Sequence, residues 1–268
     1  HPDPMSRHQP KGLRGPSRVV DTSAFRWTDH DWAGVQLQDL VLYELHVGTF
    51  SAEGTFDGVI PHLRSLRELG VTAIELMPVS EFPGVRGWGY DGVYLRAPHH
   101  AYGGPEGLSR LVDAAHAEGV GVVLDLVLNH VGASGVRTLK AFGPYFSERY
   151  ETDWGKAINY DDAGCDGVRE WALQSAAGLM RDYHLDGLRL DAVHAIIDES
   201  PRQILDGVEH AFVARRHAHL VESGLERDLV VVDHARIFDR DVLGERVDRQ
   251  ARLEAADGLA LFVEDHAR

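Results

Sequence analysis

GVGVVLDLVLNHVG, residues 119–132, is an almost unbroken run of valine and leucine that ends in polar groups, Asp125, Asn129 and His130. A strand this apolar on both faces belongs in a parallel sheet covered by helices. The same design recurs along the chain. VLYELHVGTF (41–50) reads as a strand, FDGVIPHLRSLRELG (56–70) as a helix closed by Gly70, and VTAIELMPV (71–79) as a second strand. HLDGLRLDAVH (184–194) holds a fourth and HLVES (219–223) a short fifth, with VVVDHA (230–235) a weaker sixth. Helical spacing marks LSRLVDAAHAEG (108–119) and DGVREWALQSAAGLMRDYH (166–184), and another helix is expected near 201–216. The stretches 81–107 and 133–165 read as long loops.

Strands alternating with helices fit a doubly wound sheet and a (β/α)8 barrel alike. The strand ends favour the barrel. Glu44 and His46, then Glu75, then Asp125 with Asn129 and His130, then Arg189 with Asp191 and His194, and last Glu222 each close a strand. In a barrel those ends converge on one mouth. No GxGxxG or GxxxxGK[ST] follows any strand, as a phosphate-binding doubly wound fold would require. The expected fold is therefore α/β of the (β/α)8 TIM-barrel type, incomplete, with five to six of its eight strands recognisable.

The 27 basic against 42 acidic side chains, a net charge of −15, argue against nucleic acid or an anionic membrane as partner. No apolar run approaches the length that spans a bilayer, and no charged-then-apolar leader opens the chain. A single cysteine, Cys165, excludes an intramolecular disulfide and fits a reducing, cytoplasmic setting. Residues 1–40, rich in Pro, Gly and charge, read as a connector, and 41–268 as the partial barrel.

The chemistry gathers at the strand ends. In GLRLDAVH, period-two alternation sets Leu188 and Leu190 on one face and Arg189 and Asp191 on the other. An arginine beside a carboxylate keeps it ionised, as a glycosyl nucleophile requires. A buried Arg–Asp pair that only stabilises the strand is the other reading. Glu222 follows one helix and one strand later, so the two carboxylates could face each other across the mouth as nucleophile and general acid. In LDLVLNHV, His130 could bond a sugar hydroxyl while Asp125 and Asn129 brace the mouth, and no HExxH-like spacing marks a metal site. WGYDGVYLRAPHHAYGG (88–104) offers Trp88, Tyr90 and Asp91 as a carbohydrate platform. Tyr94 and Tyr102 are expected to form the private core of that loop.

LDLVLNHV, GLRLDAVH and LVES resemble signature regions of the α-amylase superfamily of glycoside hydrolases. More narrowly, ELHVGTFSAEGTF (44–56), ELMPVSEFPGVRGWGYDGV (75–93), the FGPYFSERY and WGKAINYD stretches (142–150, 154–161) and the histidine of DAVHAI are similar to the malto-oligosyltrehalose trehalohydrolases. The resemblance implies a retaining double displacement. Asp191 would attack the anomeric carbon, while Glu222 protonates the leaving oxygen and then activates water. The bond cut would be the α-1,4 link beside the terminal trehalose of a maltooligosyltrehalose, with no metal or organic cofactor. Arg189 would orient Asp191. His130, Tyr90, Asp91, His194 and His234 would contact or line the substrate site.

The chain also departs from that pattern. A β-sandwich precedes PSRVVD in the family, so residues 1–40 would be the connector from it. The family's third carboxylate, in an NHD-type motif, has at most an echo in DHA (233–235), where His234 is kept and Ala235 replaces the aspartate. VLGERVDRQARLEAADGLALF (242–262) resembles the helix after that motif. A branching-enzyme-like transferase and a catalytically dead glucan-binding remnant are the alternatives. The resemblance does not give an oligomeric state.

Overall fold

A computed structural model describes residues 2–208, together with the strand backbones at 229–232 and 261–262. The strands in chain order are β1 (Leu42–Leu45), β2 (Ala73–Leu76), β3 (Ser80–Glu81), β4 (Tyr94–Pro98), β5 (Gly121–Leu126), β6 (Phe146–Thr152), β7 (Gly155–Ile158), β8 (Gly187–Leu190), β9 (Leu229–Val232) and β10 (Leu261–Phe262). The helices are α1 (Val47–Phe50), α2 (Phe56–Val59), α3 (Leu63–Leu69), α4 (Gly104–Ala117), α5 (Ala133–Lys140) and α6 (Asp166–Tyr183).

Six strands form one parallel sheet in the order β1-β2-β5-β8-β9-β10. This is the sheet of a (β/α) barrel, partial among the described residues. β5 is buried at every position, as its composition demands. Leu124, Leu126 and Leu188 are at most 2% exposed and sit in one core cluster with Leu108, Leu111 and Val112 of α4 and Trp171, Ala172 and Leu179 of α6. Burying each such large side chain contributes about 1.5–3 kcal/mol. Because all six strands run the same way, every polar strand end opens on the same side.

Several elements differ from the sequence expectations, each for a local reason. The run 41–50 is strand only to Leu45; His46 then turns the chain into α1. The helix expected over 56–70 is split into α2, a 3-10 turn at Ile60–His62 and α3, because Pro61 supplies no N–H for a continuous ladder. Gly70 does close it, at φ 104. The two long loops are partly structured: 81–107 contributes Glu81 and all of β4 to the antiparallel pair β3–β4, and 133–165 holds α5 and the hairpin β6–β7. Tyr94 and Tyr102 are both buried, but not in a private core of the first: Tyr102 joins the main core against Phe56, and Tyr94 packs with Val93, Ala97 and Leu13. The strand beside β8 is β9, at the weaker sixth position. Leu261–Phe262 is strand rather than the end of a helix. HLVES lies outside the described residues, as does the second half, 209–216, of the helix expected at 201–216; residues 204–208 are helical. Among the described residues no helix is long and apolar enough to cross a membrane. Cys165 caps the start of α6, and burial pushes its thiol up, so it is a poor thiolate.

Residues 2–40 have two 3-10 turns and are otherwise irregular, yet they are fastened to the base of the sheet. His116, at the end of α4, faces Asp29 Oδ2 with Nδ1 at 2.9 Å and Asp186 Oδ2 with Nε2 at 3.0 Å. With a carboxylate at each nitrogen, both nitrogens carry protons and the ring is an imidazolium. Asp29 Oδ2 also meets His184 Nδ1 at 2.8 Å. Asp186 accepts the Val122 N–H at 2.7 Å and the Trp32 indole N–H at 2.7 Å. Trp32 stacks on His116 and Trp27 on His184, closing the network from the solvent side. Burial opposes the charge on His116, but the bonds to Asp186 and Asp29 outweigh it and raise its pKa. Burial likewise opposes ionisation of Asp29, yet the bonds from His116 and His184 hold it far below the usual carboxylate range.

The signs of these shifts define a window. The His116 contribution is fully present below its unfolded value of 6.5 and is lost as pH rises through its higher folded value. The Asp29 contribution is present above 3.8 and is lost as pH falls through its depressed folded value. Replacing His116 with Leu removes the imidazolium shared by two buried carboxylates, at a cost of about 3–5 kcal/mol. Urea unfolding at pH 6 should show that loss. The variant should also lack the decline in stability that the wild type shows above neutral pH; parallel pH profiles for the two proteins would contradict the ion-pair account.

Candidate active site

The parallel register of β5 and β8 sets Asp125 opposite Arg189. Arg189 Nη1 donates to Asp125 Oδ2 at 2.7 Å and to Asp191 Oδ1 at 2.9 Å, so one guanidinium nitrogen joins two carboxylates on neighbouring strands. Tyr90, from the loop between β3 and β4, donates its hydroxyl to the same Asp125 oxygen at 2.9 Å. On the other side Asn129 Nδ2 donates to the Asp191 carbonyl at 2.8 Å and approaches Asp191 Oδ2 at 3.3 Å. Asn129 Oδ1 accepts from His130 Nδ1. A continuous chain of bonds therefore runs Tyr90–Asp125–Arg189–Asp191–Asn129–His130.

The burial of the members sets their roles. Asp125 is 1% exposed, and burial pushes its carboxyl well above the usual carboxylate range, with Arg189 opposing and the charge of Asp191 reinforcing. Its Oδ1 is buried with no hydrogen-bond partner among the described residues. The Tyr90 hydroxyl is raised by burial and then by Asp125, so it stays a donor. Asp191 is only half-buried, with both carboxylate oxygens held in place. Directly after it, Ala192 stands at φ 43, a left-handed backbone that costs an L-residue about 1–2 kcal/mol and that occurs where surrounding bonds enforce it.

His130 is buried, which holds its pKa below that of a free imidazole. Its ring lies parallel to Trp154, 5.3 Å away at 10°. Trp154 sits at the tip of the β6–β7 hairpin and is half exposed. His194 is tilted at 55° to the same indole at 6.5 Å, with its Nδ1 buried and unpartnered among the described residues. Asp91 is exposed, and its carbonyl oxygen lies so close to Gly132 that any side chain there would overlap it. The site is thus a held carboxylate facing a neutral histidine and a flat indole, a combination suited to a polyhydroxylated ring.

Of the residues expected at the site, Arg189, Asp191, His130 and Tyr90 are brought together, and His194 joins them through Trp154. Asp91 follows Tyr90 at the rim. Glu222 and His234 lie outside the described residues. Trp154 was not expected; the signal for it was weak, an aromatic beside a turn glycine in DWGK. Glu81, His99 and His100 form the cluster among the described residues that could hold a cation. Glu81 instead accepts the His100 N–H at 2.9 Å and its Nδ1–H at 2.7 Å. His99 Nδ1 accepts the Ala101 N–H, so its proton sits on Nε2, the very atom a metal would need.

Residues 17–154 match the catalytic domain of α-amylase. The chain belongs to the α-amylase family of glycosidases. Within it, the malto-oligosyltrehalose trehalohydrolase of Saccharolobus solfataricus is 51% identical over 232 residues, 86% of this chain and 41% of that protein. A 1,4-α-glucan branching enzyme of Xanthomonas campestris is 35% identical, over 73% of this chain and 29% of its own length. The crystal structure of a Salmonella typhimurium protein described as an α-amylase superposes with a TM-score of 0.78 at 42% identity, covering 87% of this chain and 38% of that one. The chain spans about two fifths of the length of the trehalohydrolase it matches.

Arg189→Leu should unfold at lower urea concentration by about 3–5 kcal/mol, since it strands two carboxylates. Adding Asp125→Asn should return part of that loss, because the two residues share one bond. Strictly additive losses would contradict the bridging role.

Proposed function

We propose that this chain carries the nucleophile half of a retaining glycosidase that releases trehalose from maltooligosyltrehalose. One observation carries the reading: Asp191 stands at a strand end with both carboxylate oxygens bonded yet accessible, beside a stacked His130–Trp154 pair. Asp191 attacks the anomeric carbon along the direction set by Arg189 and Asn129. Glu222 protonates the leaving oxygen and then, as base, activates the water that frees the sugar. Tyr90 and His130 hold the glucosyl ring on the non-reducing side of the cut, while Trp154 and His194 face the trehalose side, with Asp91 on the rim and His234 as a further substrate contact. Residues 1–40 serve as the connector into a partial catalytic barrel, 41–268. The trehalose-forming role fits a cytoplasmic enzyme acting on glucan, with no nucleic acid or membrane partner.

The 51% identity to a trehalohydrolase, against 35% to a branching enzyme, supports hydrolysis over transfer. The assay is trehalose release from maltooligosyltrehalose by the purified protein. Asp191→Asn should lower kcat at least about a thousandfold with little change in substrate affinity. Equal activity in the variant would sink the nucleophile assignment. New α-1,6 branches in amylose would instead support the transferase, and no sugar released by either protein the inactive glucan-binding remnant.

A further inference from the structure

The loop 83–89 crosses the mouth between β3 and β4, and its residues 83–88 are all exposed. Trp88 is 72% exposed and Val85 62%, and Trp88 is the more exposed of the loop's two large apolar side chains. An indole left to solvent is unremarkable on a floppy loop, but this one is not free to fold away. The backbone on its N-terminal side is pinned at Gly87, whose carbonyl accepts from His46 Nε2 at 2.8 Å and from the Tyr102 hydroxyl at 3.3 Å. His46 is set by Thr49 Oγ1 at 2.9 Å, and Tyr102 is wedged among Phe56, Phe82 and His99. A side chain at Gly87 would press on the Phe82 ring.

The C-terminal side is pinned as firmly. Gly89 is buried at φ 97, and any Cβ there would overlap the carbonyl oxygen of Pro78, just beyond the end of β2. The next residue, Tyr90, is bonded to Asp125 in the catalytic chain. Trp88 is thus the exposed member of a tripeptide whose other two residues are glycines locked against the barrel. The sequence Gly-Trp-Gly permits the close approach on both sides, and the approach fixes where the ring is shown. A fixed apolar plane beside a sugar site loses little entropy when a sugar face stacks on it.

We infer that Trp88 is a stacking platform for a glucosyl unit of the α-1,4-glucan chain lying beyond the ring held at Tyr90 and Asp191. It sets how strongly the protein favours long chains, and takes no part in bond cleavage. This rests on the function proposed above, as it names a further contact of the same substrate.

The test compares Trp88→Ala and Trp88→Phe with the wild type on maltooligosyltrehaloses of different length. For the longest chains KM should rise about tenfold in Trp88→Ala. For the shortest substrate it should stay within about twofold, with kcat unchanged throughout, and Trp88→Phe should recover most of the loss. Calorimetry with maltoheptaose and maltose on the Asp191→Asn protein supplies a readout independent of turnover. Adding Trp88→Ala to it should weaken maltoheptaose about tenfold and leave maltose unaffected. Chain-length preference that survives Trp88→Ala, in a protein that does cleave the glucan, overturns this inference alone. A wild type that neither binds nor cleaves any α-1,4-glucan overturns the proposed function and this inference with it.

Discussion

One nitrogen of Arg189 is shared between Asp125 on β5 and the carboxylate of Asp191 after β8, and the site is built outward from that contact. Without it, two carboxylates on adjacent strands would repel each other in a poorly hydrated mouth. With it, the buried Asp125 acts as an anchor for the guanidinium, and Tyr90 shares the anchor. Asp191 receives what remains of the arginine's bonding capacity and is steadied from the far side by Asn129. The strained turn at Ala192 is tolerated because these bonds hold both the carbonyl and the carboxylate of the preceding residue. Each contact positions the Asp191 carboxylate while leaving it reachable.

The same division of labour runs through the whole sheet. At the base, the imidazolium of His116 lies between Asp29 and Asp186 under the Trp32 indole, and there the buried polar groups hold residues 27–32 to the strands. At the mouth, the polar groups are only partly satisfied: one oxygen of Asp125 and one nitrogen of His194 are buried without partners among the described residues. A parallel barrel segregates its ends in this way, with stability at the N-terminal face and chemistry at the C-terminal face. Unsatisfied polar atoms cost stability, and they persist where a substrate is to meet them.

Much of this was legible in the residues. The apolar run at 121–126 read as a buried parallel strand, and period-two alternation at 188–191 was enough to put Arg189 and Asp191 on one face. The burial of Tyr94 and Tyr102 was expected, but not that Tyr102 would join the main core instead of a private one. What escaped was set by contacts distant in sequence. Nothing in DWGK announces that Trp154 will lie parallel to His130, because a hairpin tip takes its partner from the fold and not from its neighbours. Residues 1–40 show no periodicity, so their fastening through Asp29 and Trp32 is invisible until α4 and the entry to β8 are in place. Helix boundaries shifted where Pro61 and His46 imposed local breaks.

Asp191, held by Arg189, is proposed as the group that attacks the sugar. The most direct measurement is to trap the covalent intermediate with a 5-fluoro-glucosyl fluoride and locate the label by peptide mass spectrometry. One added fluoroglucosyl group is expected on the peptide containing Asp191, and none in Asp191→Asn. A label on any other carboxylate, or labelling that survives the substitution, would contradict it.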